Sequence, residues 1–182
     1  GVHEGPRRRV GRLSRSDHGR RRECRRRSAR RPVHQGPGHR CVNVAFQMPL
    51  CPMLDDRDTE TSRDNHGKVW NTRRNHFGWR CYLRGQKRDG LSPYAAPARL
   101  TDFSDLPPAY TFVGNGEPFH AETVQYVENL KKSGIPASMD VYCSDMHAFD
   151  MMQPDTLLSQ EADRRFNEQF AYAQAHYFTA QR

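Results

Sequence analysis

The apolar positions of this chain are unevenly spread, and their spacing changes character along it. Residues 1–40 hold almost none: Val2, Val10, Leu13 and Val33 stand alone among polar neighbours. Residues 42–50 (VNVAFQMPL) then form a short apolar run with β-branched and aromatic members. A run of that length, ended near Pro49 and Pro52, predicts a buried strand. Residues 54–68 are charged and read as a loop. Within 69–83, Phe77 with Cys81, and Trp79 with Tyr82 and Leu83, fall at helical spacing. They predict a helix, although Gly78 inside it lowers the intrinsic preference. Residues 85–99 carry Pro and Gly and read as a connection.

The pattern sharpens after residue 108. Residues 109–114 (AYTFVG) predict a strand. Residues 122–133 place Val124, Val127 and Leu130 on one stripe of a helix. Its acidic start and lysine end suit the helix dipole, and Gly134 stands where a left-handed cap is wanted. A second strand is expected at 137–143. A long helix is expected at 159–178, with Phe166, Phe170, Ala173 and Tyr177 three or four residues apart. Strand, helix, strand, helix predicts an α/β fold, built on a right-handed crossover in a parallel sheet. No internal repeat is evident.

Charge divides the chain at the same place as hydropathy. Residues 1–40 carry 14 of the 29 basic residues, every one Arg, and 3 of the 21 acidic ones, for a net +11. Residues 41–182 are net −3, so the overall +8 describes neither part. The first segment lacks the apolar surface to offset the entropy of ordering and is expected to be disordered. The second has the composition of an ordinary globular domain. The five cysteines (Cys24, Cys41, Cys51, Cys81, Cys143) are odd in number, scattered and without a C-x-x-C pair. A disulfide framework or a zinc site is not expected, and a reducing, cytoplasmic setting is. No apolar run reaches transmembrane length and no signal peptide is visible. The sequence opens on Gly, so an upstream portion is expected to be missing.

The candidate chemistry lies in two loops, each following a predicted strand at the end where open α/β sheets place their sites. One reads Gly114-Asn115-Gly116-Glu117-Pro118-Phe119. The other reads Cys143-Ser144-Asp145-Met146-His147-Ala148-Phe149. A carboxylate that accepts the Nδ1 proton of an imidazole fixes its tautomer and stabilises the imidazolium. Glu117 and His147 are therefore candidates for a catalytic acid and histidine. A lone loop Glu or His is more often solvated or idle. Glu122, Asp145 and Asp150 also lie near enough in sequence to partner His147.

Longer stretches bear on that choice. They are Pro52-Met53-Leu54-Asp55-Asp56-Arg57, Val69-Trp70-Asn71, Phe77-Gly78-Trp79 and Ser92-Pro93-Tyr94-Ala95-Ala96-Pro97-Ala98-Arg99. Leu106-Pro107-Pro108, Val113-Gly114 with Glu117-Pro118-Phe119, and His147-Ala148-Phe149-Asp150 complete them. In that order, residues 41–178 resemble the C-terminal part of the hormone-sensitive-lipase-like α/β hydrolases. The resemblance implies the C-terminal half of an α/β-hydrolase sheet with flanking helices. It also implies a serine carboxylesterase acting on small acyl esters without cofactor or metal. The triad acid of that family is usually Asp followed by Pro and a large apolar residue. Here Glu117 holds the place, and triads of this fold accept Glu. His147, followed by a small residue and Phe, matches the family histidine.

The family also requires a serine on a G-x-S-x-G turn about one helix before the 42–50 strand, and a Gly-rich oxyanion loop upstream. Neither occurs in the 182 residues; where the turn is due the chain reads Arg20-Arg21-Arg22-Glu23-Cys24-Arg25-Arg26-Arg27-Ser28. The chain is accordingly expected to be inactive. An Arg-rich, Lys-free segment is what GC-rich coding DNA yields when read out of frame. Codons can be chosen for residues 21–28 that, shifted by one base, spell Gly-Glu-Ser-Ala-Gly-Gly-Gly. Residues 1–40 are thus expected to be a frameshifted reading that rejoins near Cys41. The alternative is a basic arm that binds nucleic acid through phosphates. It contains no aromatic residue to stack on bases. Cys24 would have a lowered pKa among its arginines, but nothing there to aim it as a nucleophile. The remaining histidines show no metal-ligand spacing. Trp70, Phe77, Trp79 and Tyr82 are expected to pack under the connection rather than line an acyl pocket.

Overall fold

The computed structural model describes residues 44–178. The predicted Arg-rich segment and Cys24 lie outside the described residues. Two strands are paired in parallel: β1 (Ala109–Gly114) and β2 (Ala137–Tyr142), in register from Ala109 opposite Ala137 to Gly114 opposite Tyr142. Every residue of β1 is buried, as suits a central strand covered on both faces. Its alternation divides the core. Tyr110 and Phe112 pack with Tyr142, Phe149 and Ala162 on one face. Ala109 packs with Leu54, Phe103, Tyr126 and Leu130 on the other.

The expected strand at 42–50 is only partly realised. Of its described residues, Gln47 alone forms a parallel bridge, to Ala109. Gln47 donates to the Pro108 carbonyl (2.9 Å) and Tyr110 donates to the Gln47 carbonyl (3.0 Å). The segment therefore runs beside β1 on the edge away from β2. Residues 44–49 are half-buried rather than buried, which corrects the expectation. Pro49 supplies no N–H and interrupts the ladder. Cys51 then turns the chain with a left-handed φ of 42°.

Helix α1 (Thr72–Leu83) begins three residues later than expected, because Asn71 caps it by accepting from the Arg74 amide. Its buried residues are Asn75, Trp79 and Leu83, a stripe at i, i+4 and i+8. Phe77, Cys81 and Tyr82 face solvent, so the Phe77–Cys81 pairing is not a core contact. Trp79 packs with Leu83, Leu91 and Ala96, as expected of a packing residue. The predicted connection contains a short 3-10 turn (Pro97–Arg99). There Arg99 grips the buried Asp56 carboxylate through two bonds of 2.6 and 2.9 Å, which hold Asp56 below its usual range.

Helix α2 (His120–Lys132) joins β1 to β2 and buries Glu122, Thr123, Tyr126, Val127 and Leu130. Gly134 takes the left-handed conformation (φ 75°). Its amide reaches the Lys131 carbonyl (3.0 Å) and the Ile135 amide reaches that of Leu130 (3.0 Å). That is the two-bond Schellman stop that the glycine predicted. A short helix α3 (Phe149–Met152) leads to α4 (Leu157–His176), capped by Thr156. Helix α4 buries Ser159, Ala162 and Ala173, whereas Phe170 is exposed, so the predicted aromatic stripe is only partly its core face.

Candidate active site

The register of β1 and β2 brings the two candidate loops together. Both leave the C-terminal ends of adjacent strands, and they are stitched by backbone bonds. The Asn115 amide donates to the Tyr142 carbonyl and the Gly116 amide to that of Ser144, each at 2.9 Å. The approach requires glycine. A Cβ on Gly114 would stand 2.5 Å from the Ser144 carbonyl oxygen, and one on Gly116 would stand 3.0 Å from the Cα and Cβ of Asp145. The loop of Glu117 is braced from a third segment. Thr61 donates to the Pro118 carbonyl (2.8 Å), and Asn65 to that of Gly116 (3.0 Å).

Glu117 is fully buried. Its Oε1 accepts from the Gly114 amide at 2.7 Å, and its Oε2 lies 2.8 Å from His147 Nδ1. With Glu117 as acceptor, Nδ1 carries the imidazole proton and Nε2 is the basic nitrogen. Glu117, not its neighbours, is thus the partner of His147. Glu122 is turned away, accepting from the amides of Leu54 (2.8 Å) and Asp55 (3.3 Å). Burial pushes the Glu122 carboxyl up to about 8 despite those two donors. The His147 ring is flanked by Phe119 (centroids 5.0 Å apart) and Trp70 (5.9 Å), and about a quarter of its side chain meets solvent. Trp70 therefore borders the site, while Phe77 and Tyr82 point outward.

Cys51 is a member of this cluster that sequence reasoning missed. It is buried, and its Sγ, a Glu117 carboxylate oxygen and a His147 ring nitrogen all lie within 4.8 Å of one another. Burial, then the Glu117 carboxylate beside it, pushes its thiol far above the ordinary range. The signal available was its place at the end of the 42–50 run, where a third strand end would reach the same edge of the sheet.

A family profile described as alpha/beta hydrolase fold matches residues 25–151, more than half of the chain. The match begins inside the Arg-rich segment. The chain belongs to the alpha/beta hydrolase fold family. Several of the solved structures it resembles are esterases. The esterase LipW from Mycobacterium marinum is 27% identical with a TM-score of 0.66, over 70% of this chain and 40% of that one. A bacterial heroin esterase is 25% identical with a TM-score of 0.66, over 76% and 44%. An esterase of the bacterial hormone-sensitive lipase family, at 22% identity and a TM-score of 0.58, shares the fold over 74% of this chain and 44% of that one. The hormone-sensitive-lipase-like resemblance read from residues 41–178 agrees with these neighbours. The chain spans about two-fifths of the length of the structures it matches. No curated protein matches it. Among the described residues no helix is long and apolar enough to cross a membrane.

Proposed function

We propose that Glu117 and His147 are the acid and base of a serine carboxylesterase apparatus for small acyl esters, and that this chain, lacking the serine, does not turn esters over by itself. The observation that supports the reading is the 2.8 Å contact between a fully buried carboxylate and Nδ1 of a partly exposed histidine. Oε1 accepts from the Gly114 amide, which orients the carboxylate with Oε2 toward His147. In the complete apparatus, His147 Nε2 would take the proton of a serine hydroxyl as it attacks the acyl carbon. His147 would then return that proton to the leaving alcohol, and Glu117 would stabilise the imidazolium between the two steps. Water would repeat the cycle to release the acid. The flanking Phe119 and Trp70 would shield the imidazole from competing water.

The serine is the missing member. The 182 residues contain no G-x-S-x-G. We attribute this to a frameshifted reading of about residues 1–40, which rejoins the true frame near Cys41. Nucleophile and oxyanion donors each support a large factor of rate. The chain is therefore expected to hydrolyse short p-nitrophenyl esters no faster than a protein-free blank. Re-reading the coding DNA in the shifted frame should restore a G-x-S-x-G turn and a Gly-rich loop upstream. A protein expressed from that frame should hydrolyse the same esters and lose that ability on His147→Ala. Saturable turnover by the present chain that vanishes on His147→Ala would show a surrogate nucleophile and sink the proposal of inactivity. A restored chain whose turnover survives both His147→Ala and Glu117→Ala would remove the proposed roles.

A further inference from the structure

The geometry points to a second use of the same cluster: Cys51, Glu117 and His147 form a three-ligand site for one thiophilic divalent cation of the zinc class. The donors are a sulfur, a carboxylate oxygen and a ring nitrogen, gathered within 4.8 Å, with two of the three residues buried. Ligands at about 2.0–2.3 Å from one tetrahedral zinc stand roughly 3.5 Å apart, so small side-chain shifts bring donors gathered within 4.8 Å onto one ion. Glu117 Oε2 and His147 Nδ1 are already closer than that, at 2.8 Å, and must part slightly.

Three features make the set a site rather than a coincidence of neighbours. The ligand atoms come from separate segments, yet each is fixed. Cys51 is held by its left-handed turn and by its amide bond to the Phe112 carbonyl (3.2 Å). Glu117 is oriented by the Gly114 amide on Oε1, the kind of supporting bond that aims a metal-ligating carboxylate. His147 is fixed between Phe119 and Trp70. Charge also balances. A thiolate, a carboxylate and a neutral imidazole around a dication sum to zero, the only charge state that burial tolerates well. A thiophilic ion favours the sulfur over a purely oxygen-donor competitor such as magnesium. Finally, His147 is partly exposed, which gives an ion a way in from solvent.

Binding is a proton exchange. The Cys51 thiol loses its proton to solvent as the metal–sulfur bond forms. The imidazole keeps its single proton but carries it on Nε2 once Nδ1 bonds the metal. One proton is released per ion bound, and affinity rises with pH. If Glu117 and His147 act as proposed above, the metal-bound form has no basic Nε2, so metal occupancy and base function exclude each other. The site itself does not depend on that reading, and its test involves no catalysis.

The full chain, reduced and under inert gas, is titrated with Co²⁺ and then with Zn²⁺. The expected result is a near-ultraviolet thiolate-to-cobalt charge-transfer band that saturates at one ion per chain and is displaced by one equivalent of Zn²⁺. Cys51→Ser, nearly isosteric with the native residue, should lose the band and weaken zinc binding by at least about 10-fold. A chain with Cys24, Cys41, Cys81 and Cys143 all replaced by Ser should keep both. X-ray absorption of the zinc-loaded wild-type chain needs no variant and should show one sulfur neighbour at about 2.3 Å with nitrogen and oxygen neighbours at about 2.0 Å. A charge-transfer band that persists in Cys51→Ser, or zinc bound without sulfur in the wild-type chain, would overturn the assignment.

Discussion

Glu122 offers the sharpest test of the packing. Its carboxyl sits in the first turn of α2, where a helix dipole welcomes an anion, yet the residue is buried at 3% exposure. Desolvation outweighs the Leu54 and Asp55 amides and raises it from 4.5 to about 8. In the unfolded chain the group ionises near 4.5; in the folded chain it stays protonated until about 8. Between those values the unfolded state binds fewer protons, so raising the pH favours unfolding. The stability that Glu122 contributes is fully present below pH 4.5 and is lost as pH climbs through 8. At about 1.4 kcal/mol per pH decade, the loss is on the order of 5 kcal/mol. For a domain of this size that corresponds to a fall in melting temperature on the order of 15 °C. The perturbation is Glu122→Gln, a neutral isostere that keeps one acceptor for the Leu54 amide. In the chain extended upstream through the restored frame, thermal melts by circular dichroism from pH 4 to 9 should show the wild type losing stability relative to the Glu122→Gln variant across the window, then running parallel to it above pH 8.5. Parallel curves throughout, or a wild type that gains on the variant as pH rises, would refute the claim that burial dominates at this carboxyl.

Other substitutions probe the site and the scaffold. Gly114→Ala drives a methyl into the Ser144 carbonyl and should cost about 1–3 kcal/mol; the downfield Nδ1 proton resonance expected of His147 in the wild type should weaken or vanish, and an unchanged resonance would mean the loops can part without losing the contact. Residues 41–182 expressed alone should elute as aggregates and melt without a sharp transition, because the Gln47 segment presents an edge that no described strand covers; a monomer with a two-state melt would show the unit self-sufficient. Any binding of DNA by the full chain should be indifferent to sequence, fall steeply with salt and disappear when residues 1–40 are removed; selective, salt-resistant binding by residues 41–182 would contradict the esterase reading.

Much of the scaffold was legible because local signals agreed with one another. Gly134, the lysines before it and the Val127–Leu130 spacing all announced the end of α2, and the cap formed as they implied. The pair of Glu117 and His147 was legible for a topological reason: a parallel crossover must put its two following loops side by side. Helix α1 was read only in part: Trp79 and Leu83 do face inward, but Phe77, Cys81 and Tyr82 do not. Its inward positions are Asn75, Trp79 and Leu83, and a polar residue at the first of them hid the period, while Phe77 drew attention to the exposed side. Cys51 was only faintly legible: the end of the 42–50 run put it near the site edge, but its place beside Glu117 depends on a left-handed turn at a residue that seldom adopts one. Glu122 looked like a surface charge favouring a helix start. Its burial comes from amides 68 and 67 positions away in the chain, which no local pattern can report.

The stitching of the two site loops has an evolutionary consequence. The bonds that set Glu117 against His147 run from Gly114 to Glu117, from Asn115 to Tyr142 and from Gly116 to Ser144. These three lie within one strand–helix–strand crossover, the Thr61 and Asn65 braces come from the segment before it, and none requires a serine-bearing segment. Selection for a stable crossover therefore preserves the acid–histidine geometry whether or not catalysis is under selection. A lineage can lose its nucleophile and keep this half of the machinery in working order as a by-product of folding, open to a later return of the serine or to recruitment for a different chemistry.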